Sequence, residues 1–258
     1  MSGKVTLKED VVVGEIDGRP LHCDVFVPPE ATEKATAVLL IHGGAWVMGD
    51  KSQLRGYGFL LGREGTVCVA CEYRLATEAQ WPAQLDDVNV ALQWMHDNAE
   101  ELGIDPQRIA VCGASSGAHL AMMAAASHDE SADRPPIAAV ISFYGPTRLR
   151  ADSDMLKDSV LQLLGSDAKG DDFVGASPAD QLSASYPPTL LMHSNQDELV
   201  PREQSIEFAE QLRALEVPVE LALFDNVPHM FDADKRLGRL AANLAHTFLS
   251  RYVGSDNG

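Results

Sequence analysis

Arg108-Ile109-Ala110-Val111-Cys112-Gly113-Ala114-Ser115-Ser116-Gly117-Ala118-His119-Leu120-Ala121 changes character twice within fourteen residues. Arg108 to Cys112 is an apolar run of strand type, and Ala118 to Ala126 is rich in strong helix formers. Between them, Gly113-Ala114-Ser115-Ser116-Gly117 fits Gly-x-Ser-x-Gly, a pattern that sets a serine on a sharp strand-to-helix turn. Small residues two before and two after the serine are needed because the backbone there is strained and closely packed. The serine oxygen then projects above the sheet edge, at a helix N-terminus whose dipole favours a developing negative charge. The pattern selects Ser115 over Ser116. Five such residues recur by chance and suit a plain turn, so the strand before and the helix after carry the weight.

Working outward, the chain alternates. Val11 to Glu15 and Leu21 to Val27 flank Asp17-Gly18, a strong hairpin signal. Strand-like runs follow at Ala37 to Ile41, Thr66 to Tyr73, Arg108 to Cys112, Ile137 to Phe143, Pro188 to His193 and Val219 to Phe224. Helical patterns lie between or after them, at Ser52 to Arg63, Ala83 to Glu101, Ser116 to Ser127, Arg202 to Leu215 and Leu237 to Tyr252. Continuous apolar strands such as Ala37-Val38-Leu39-Leu40-Ile41 mark a parallel sheet covered on both faces. The expectation is a doubly wound α/β sheet behind an antiparallel N-terminal hairpin, in one domain over 1–258. Gly145 to Tyr186 interrupts the rhythm with no sheet strand, and a stretch of that length reads as a lid or pocket wall.

Composition narrows the function. The 258 residues are 45% hydrophobic and 22% charged, near the globular average, which excludes disordered and collagen-like chains. Twenty Lys and Arg against 38 Asp and Glu give a net charge of −18, a surface that repels nucleic acid and anionic membranes. No apolar run approaches the roughly 18 residues of a membrane span, and the N-terminus lacks the apolar core of a signal peptide. Cys23, Cys68, Cys71 and Cys112 have no metal-ligand spacing and read as reduced thiols of a cytoplasmic protein. No metal or organic cofactor is implied. A homodimer is compatible with the sequence.

A serine nucleophile needs a base and an acid. Asp197 lies just past the Pro188 to His193 strand, at the strand end where α/β sheets build their sites. Its neighbour Glu198 competes, but the shorter side chain holds a histidine more firmly. His229 lies past the Val219 to Phe224 strand, at the same edge. The other histidines fit less well. His22 is in the hairpin, His96, His128 and His246 fall on helices or their ends, His119 follows Ser115 on its helix, and His193 ends a strand ahead of the acid. His42-Gly43-Gly44-Ala45-Trp46 also follows a buried strand, and its glycines let backbone N–H groups turn toward a neighbouring site. His42 itself reads as a loop-fixing residue.

With these motifs the chain resembles an α/β-hydrolase of the esterase type. It is similar to the small, cap-poor carboxylesterases that include feruloyl and acetyl-xylan esterase-like proteins and the arylformamidases. Further matching residues are Gly49-Asp50-Lys51, Glu72-Tyr73-Arg74-Leu75, Trp81-Pro82-Ala83-Gln84 and Ala176-Ser177-Pro178. The series runs from about Leu21 to the end of the chain and closes with Asp197 to Pro201 and His229-Met230-Phe231. Two positions depart from the pattern: His193-Ser194 stands where the family shows His-Gly, and Pro228-His229 where it shows Gly-His.

The resemblance implies an oxyanion hole of backbone N–H groups from Gly44 or Ala45 together with Ser116. The stretch before His42 is short, so a minimal cap and an open site are expected, with Trp46 narrowing the pocket entrance. The function implied is hydrolysis of small, short-acyl neutral esters through an acyl-enzyme on Ser115, His229 and Asp197. Cleavage of an N-formyl amide by the same residues is the alternative. A binding protein on a dead scaffold would have lost one of the three.

Overall fold

Eight strands form one sheet in the order β1-β2-β4-β3-β5-β6-β7-β8. The computed structural model describes residues 3–29, 34–126, 135–150 and 156–254. β1 (Thr6–Ile16) and β2 (Arg19–Val27) pair antiparallel. Asp17 and Gly18 both take positive φ, 52° and 78°, which gives the turn a twist matching that of the strands. β2 also pairs antiparallel with β4 (Val67–Cys71). From β4 through β3 (Ala35–Ile41), β5 (Ile104–Ala114), β6 (Ala139–Phe143), β7 (Thr189–Ser194) and β8 (Val219–Phe224) every pairing is parallel.

The two faces of β3 explain its apolar run. Ala37, Leu39 and Ile41 pack with α2 (Ala83–Asp97), α4 (Ser116–Ala126) and α7 (Glu203–Ala214). Val38 and Leu40 face the other way, against α1 (Arg55–Arg63) and α8 (Lys235–Tyr252). Successive residues thus enter opposite cores, and no position is left to be polar. α4 is buried from Ser116 to Ala125, which accounts for its composition.

Several boundaries differ from the reading of the sequence. The helical pattern from Ala83 to Glu101 breaks at Asn98, whose side-chain amide donates to the Trp94 carbonyl at 2.8 Å, and resumes as α3 (Ala99–Leu102). β5 starts at Ile104, ahead of Pro106, because Ile104 pairs with Ala35 before the register shifts. The Gly145 to Tyr186 stretch holds α5 (Lys157–Leu164), α6 (Gly170–Gly175) and a 3-10 turn at Pro178–Asp180. Its Leu149, Val160, Leu163, Phe173 and Tyr186 are buried in the core on the α2 and α4 face. His128 and residues 151–155 lie outside the described residues. Among the described residues, no helix is long and apolar enough to cross a membrane.

The turn after β5 sits hard against β3. A Cβ on Gly117 would meet the carbonyl oxygens of Ile41 and His42 at 2.1 and 2.3 Å, both backbone atoms that cannot swing away. Gly117→Ala is therefore expected to cost roughly 1–3 kcal/mol, with a melting temperature lower by roughly 2–4 °C per kcal/mol. Gly56→Ala, on α1 with no heavy atom within 4 Å, should leave the melt unchanged or raise it. Equal melting temperatures for the two variants would show that the turn is not packed this tightly.

Candidate active site

Ser115 follows β5 directly and carries φ +54°, a region that non-glycine residues adopt at a cost. Its N–H donates to the Phe143 carbonyl at 2.8 Å, and its carbonyl accepts from the His119 N–H at 3.1 Å. The residue is thus anchored to β6 and to α4 while its side chain faces the cavity.

His229 lies past β8 with its ring between Ser115 and Asp197. Its Nε2 is 3.1 Å from Ser115 Oγ, and its Nδ1 is 2.6 Å from Asp197 Oδ2. An ionised carboxylate only accepts, so Nδ1 carries the proton and Nε2 presents a lone pair to the serine hydroxyl. Asp197 Oδ1 accepts the backbone N–H groups of Leu199 and Val200 at 2.9 and 2.8 Å. Burial disfavours the charged carboxylate, but hydrogen bonds from His193, His229 and the Val200 N–H outweigh it, and Asp197 is held well below the usual carboxylate range. Glu198 is exposed and takes no part.

The loop after β3 brings Gly44 and Ala45 to the cavity beside Ser115. Gly44, Ala45 and Trp46 all take positive φ, at 123°, 51° and 62°. Only glycine suits the first position, since a Cβ there would stand 2.0 Å from the Met48 carbonyl oxygen. Gln53 steadies the loop by accepting the Gly43 N–H at 2.7 Å. Ser116 is buried at the start of α4 and does not line the cavity with its side chain. His42 stacks on Tyr73 with ring centroids 4.2 Å apart, and its Nδ1 lies 2.8 Å from the Gly43 carbonyl oxygen. Burial pushes its pKa down, so the neutral ring donates to that carbonyl and holds the loop.

Trp46 is not at the entrance. It is 0% exposed, and its indole N–H donates to His119 Nδ1 at 3.3 Å. His119, its pKa lowered by burial to about 4, donates from Nε2 to the Ala176 carbonyl at 2.7 Å. Left-handed backbone at two successive residues turns the indole into the core, and Met48 faces the cavity in its place. Among the described residues, Leu156 alone represents the 145–186 stretch in the lining. Leu149, Val160, Leu163, Phe173 and Tyr186 of that stretch pack into the core on the α2 and α4 face of the sheet.

The cavity, about 690 Å³, is lined among others by Leu54, Tyr57, Leu60, Asp232, Lys235 and Arg239. Tyr144, one residue past β6, packs edge-on against the His229 ring with centroids 4.5 Å apart. Its hydroxyl donates to Asp232 Oδ1 at 2.6 Å, and the Tyr57 hydroxyl donates to Oδ2 of the same carboxylate at 3.1 Å. The loop that carries His229 and Asp232 is therefore tied to both β6 and α1. Reading the sequence missed these three residues. Tyr144 had a signal, its position just beyond a strand's C-terminal end, but Tyr57 on a helix had none.

A mostly parallel sheet of this order, with a serine turned sharply after a central strand, defines the α/β-hydrolase class. Residues 23–212 match the sequence model of the BD-FAE family, and the chain belongs to that family. LipM of Mycobacterium tuberculosis is 32% identical over 96% of this chain and 63% of its own length. Carboxylesterase NlhH of the same species is 31% identical over 77% of this chain and 67% of its own. The chain spans half to two thirds of the length of these curated relatives. The butyrate-bound esterase Est2 of Thermogutta terrifontis superposes with a TM-score of 0.81 at 24% identity, over 100% of this chain and 97% of that one.

Proposed function

We propose that the protein is a serine carboxylesterase that hydrolyses short-acyl neutral esters through an acyl-enzyme. The observation that carries this reading is the shared imidazole: His229 reaches both Ser115 and Asp197 within hydrogen-bond distance, at the edge of an apolar cavity. His229 takes the Ser115 proton as Oγ attacks the ester carbonyl, and Asp197 stabilises the imidazolium that forms. N–H groups of Gly44 or Ala45 and of Ser116 receive the developing oxyanion, each such donor contributing roughly 2.7–4 kcal/mol in comparable enzymes. The imidazolium returns its proton to the departing alcohol. Water, activated by the same histidine, then releases the acid and restores the serine.

Two features of the relatives support this class: NlhH is a carboxylesterase, and Est2 holds butyrate, a four-carbon acid. Buried, unpaired thiols at Cys23, Cys68, Cys71 and Cys112 support a reducing, cytoplasmic setting. We read 1–258 as one hydrolase domain.

The test is a series of p-nitrophenyl esters run beside N-formylkynurenine. kcat/KM is expected to peak at two to about six acyl carbons and to fall about tenfold at twelve, a loss of about 1.4 kcal/mol in transition-state binding. A maximum at twelve or sixteen carbons would overturn the short-acyl assignment. Faster cleavage of the formyl amide than of any ester would replace the ester reading.

A further inference from the structure

Asp197 has more donors than the relay to Ser115 requires. Besides His229 Nδ1 at 2.6 Å, its Oδ2 lies 3.1 Å from Nε2 of a second histidine, His193, the penultimate residue of β7. Both side chains, Asp197 and His193, are 0% exposed. The partners of His193 fix its protons. Nε2 is also 2.9 Å from the Val200 carbonyl oxygen, which only accepts, so Nε2 carries the hydrogen and shares it between Val200 and Asp197. Nδ1 is then a lone pair, and the buried Ser205 hydroxyl of α7, 2.7 Å away, donates to it. A line of donors therefore runs from Ser205 through His193 to Asp197, and meets there the line that runs from Ser115 through His229.

We propose that His193 is a positioning residue for the Ser115–His229–Asp197 relay, orienting Asp197 and moderating its basicity through the Nε2–H···Oδ2 bond. The proposal rests on the reading of that relay as the catalytic site. Two backbone N–H groups on Oδ1, and His229 Nδ1 and His193 Nε2 at 2.6 and 3.1 Å from Oδ2, hold the carboxylate at both oxygens. The second imidazole also draws charge from the oxygen that stabilises the His229 imidazolium. Without it, Oδ2 holds that cation more tightly but is less firmly placed. The acidic limb of the rate profile then moves to higher pH while turnover falls. The other titratable groups facing this cluster are Tyr144 against the His229 ring and Asp232 on the Tyr144 hydroxyl. Neither touches His193, so both act equally in the variants.

The experiment compares His193→Phe, His193→Gln and Ser205→Ala, with kcat and KM measured from pH 5 to 9 per active site titrated with a fluorophosphonate. Counting only reactive sites removes the contribution of partly unfolded protein. His193→Phe deletes both ring nitrogens, and His193→Gln returns an N–H at the reach of Nε2. The phenylalanine variant should lose about tenfold in kcat with KM within about twofold, as expected for one hydrogen bond to a charged group. Its acidic midpoint should rise by about half a pH unit. The glutamine variant should recover the wild-type midpoint and most of the turnover, and Ser205→Ala should fall between the two. If His193→Phe does not fold, His193→Asn, too short to bring a donor to Oδ2, carries the same expectation. A wild-type midpoint and wild-type kcat per titrated site in the donor-less variant, with only a lower melting temperature, would reduce His193 to core packing. Ser115→Ala is measured in parallel: full activity there would instead overturn the relay itself.

Discussion

Ser115→Ala is expected to lower kcat for ester hydrolysis by about a million-fold, the loss found when a triad serine is removed from a serine hydrolase. The alanine keeps the backbone turn, so the cavity and the donors around it persist while the atom that forms the acyl bond is gone. Ser116→Ala should keep most of the activity, because that residue is assigned a backbone N–H and its side chain does not line the cavity. The two serines are adjacent in sequence, which makes the contrast informative. A fluorophosphonate probe should label the wild type and Ser116→Ala and leave Ser115→Ala unlabelled. Labelling of Ser115→Ala with comparable losses in both variants would assign the nucleophile to the wrong serine. No labelling of the wild type would favour a binding protein on a hydrolase scaffold.

Asp197→Asn should cost about 10⁴-fold in kcat, for a reason visible in the donor count. Oδ1 faces two backbone N–H groups, and Oδ2 faces two imidazole nitrogens. An asparagine must turn its NH₂ toward one of these pairs, and either way donors meet donors. If the amide nitrogen faces His229, the ring takes the tautomer with its proton on Nε2 and can no longer accept from Ser115. If it faces Leu199 and Val200, the loop itself is pushed apart. The variant should also respond differently to acid. The folded pKa of Asp197 is depressed, so its ionisation stabilises the wild type above the unfolded value of about 3.9. That stability is lost as pH falls toward the folded value. Wild-type unfolding should therefore steepen below about pH 4, and Asp197→Asn, already less stable at neutral pH, should show a flatter acid limb. Equal kcat in the two proteins would remove Asp197 from the relay.

How much of the fold is legible in the sequence follows the range of the interactions. Strands whose every residue is buried show up as unbroken apolar runs, and Ala37 to Ile41 is one because β3 feeds two cores at once. The hairpin was readable because Asp17-Gly18 adopts its backbone conformation locally. That Asp197 and His229 lie at one edge is legible because parallel strands deliver the residues beyond their C-terminal ends there, whatever their separation in the chain. Boundaries were less legible. Asn98 ends a helix through a side-chain bond that competes with the pattern, and Ile104 joins β5 only because Ala35 is there to pair with it.

The surroundings of Ser115, His229 and Asp197 depend on contacts between distant elements. Trp46 looked like an entrance residue beside two glycines, but the backbone at Ala45 and Trp46 turns its indole onto His119, 73 residues away. In the 145–186 stretch, Leu149, Val160, Leu163, Phe173 and Tyr186 enter the core on the α2 and α4 face while Leu156 reaches the cavity, a division that no spacing in the sequence marks. Tyr57, Tyr144 and Asp232 come from three separate elements and converge only when α1, β6 and the turn before α8 dock together. The same holds for His193 and Ser205, a strand residue and a helix residue whose link to Asp197 no spacing predicts. By itself the sequence determined the class of sheet, the turn that presents Ser115 and the strand ends that carry Asp197 and His229, because local backbone preference and burial periodicity are written residue by residue. Tertiary structure alone decided which side chains wall the cavity and which hold Asp197, because those depend on distances between elements that the chain brings together only on folding.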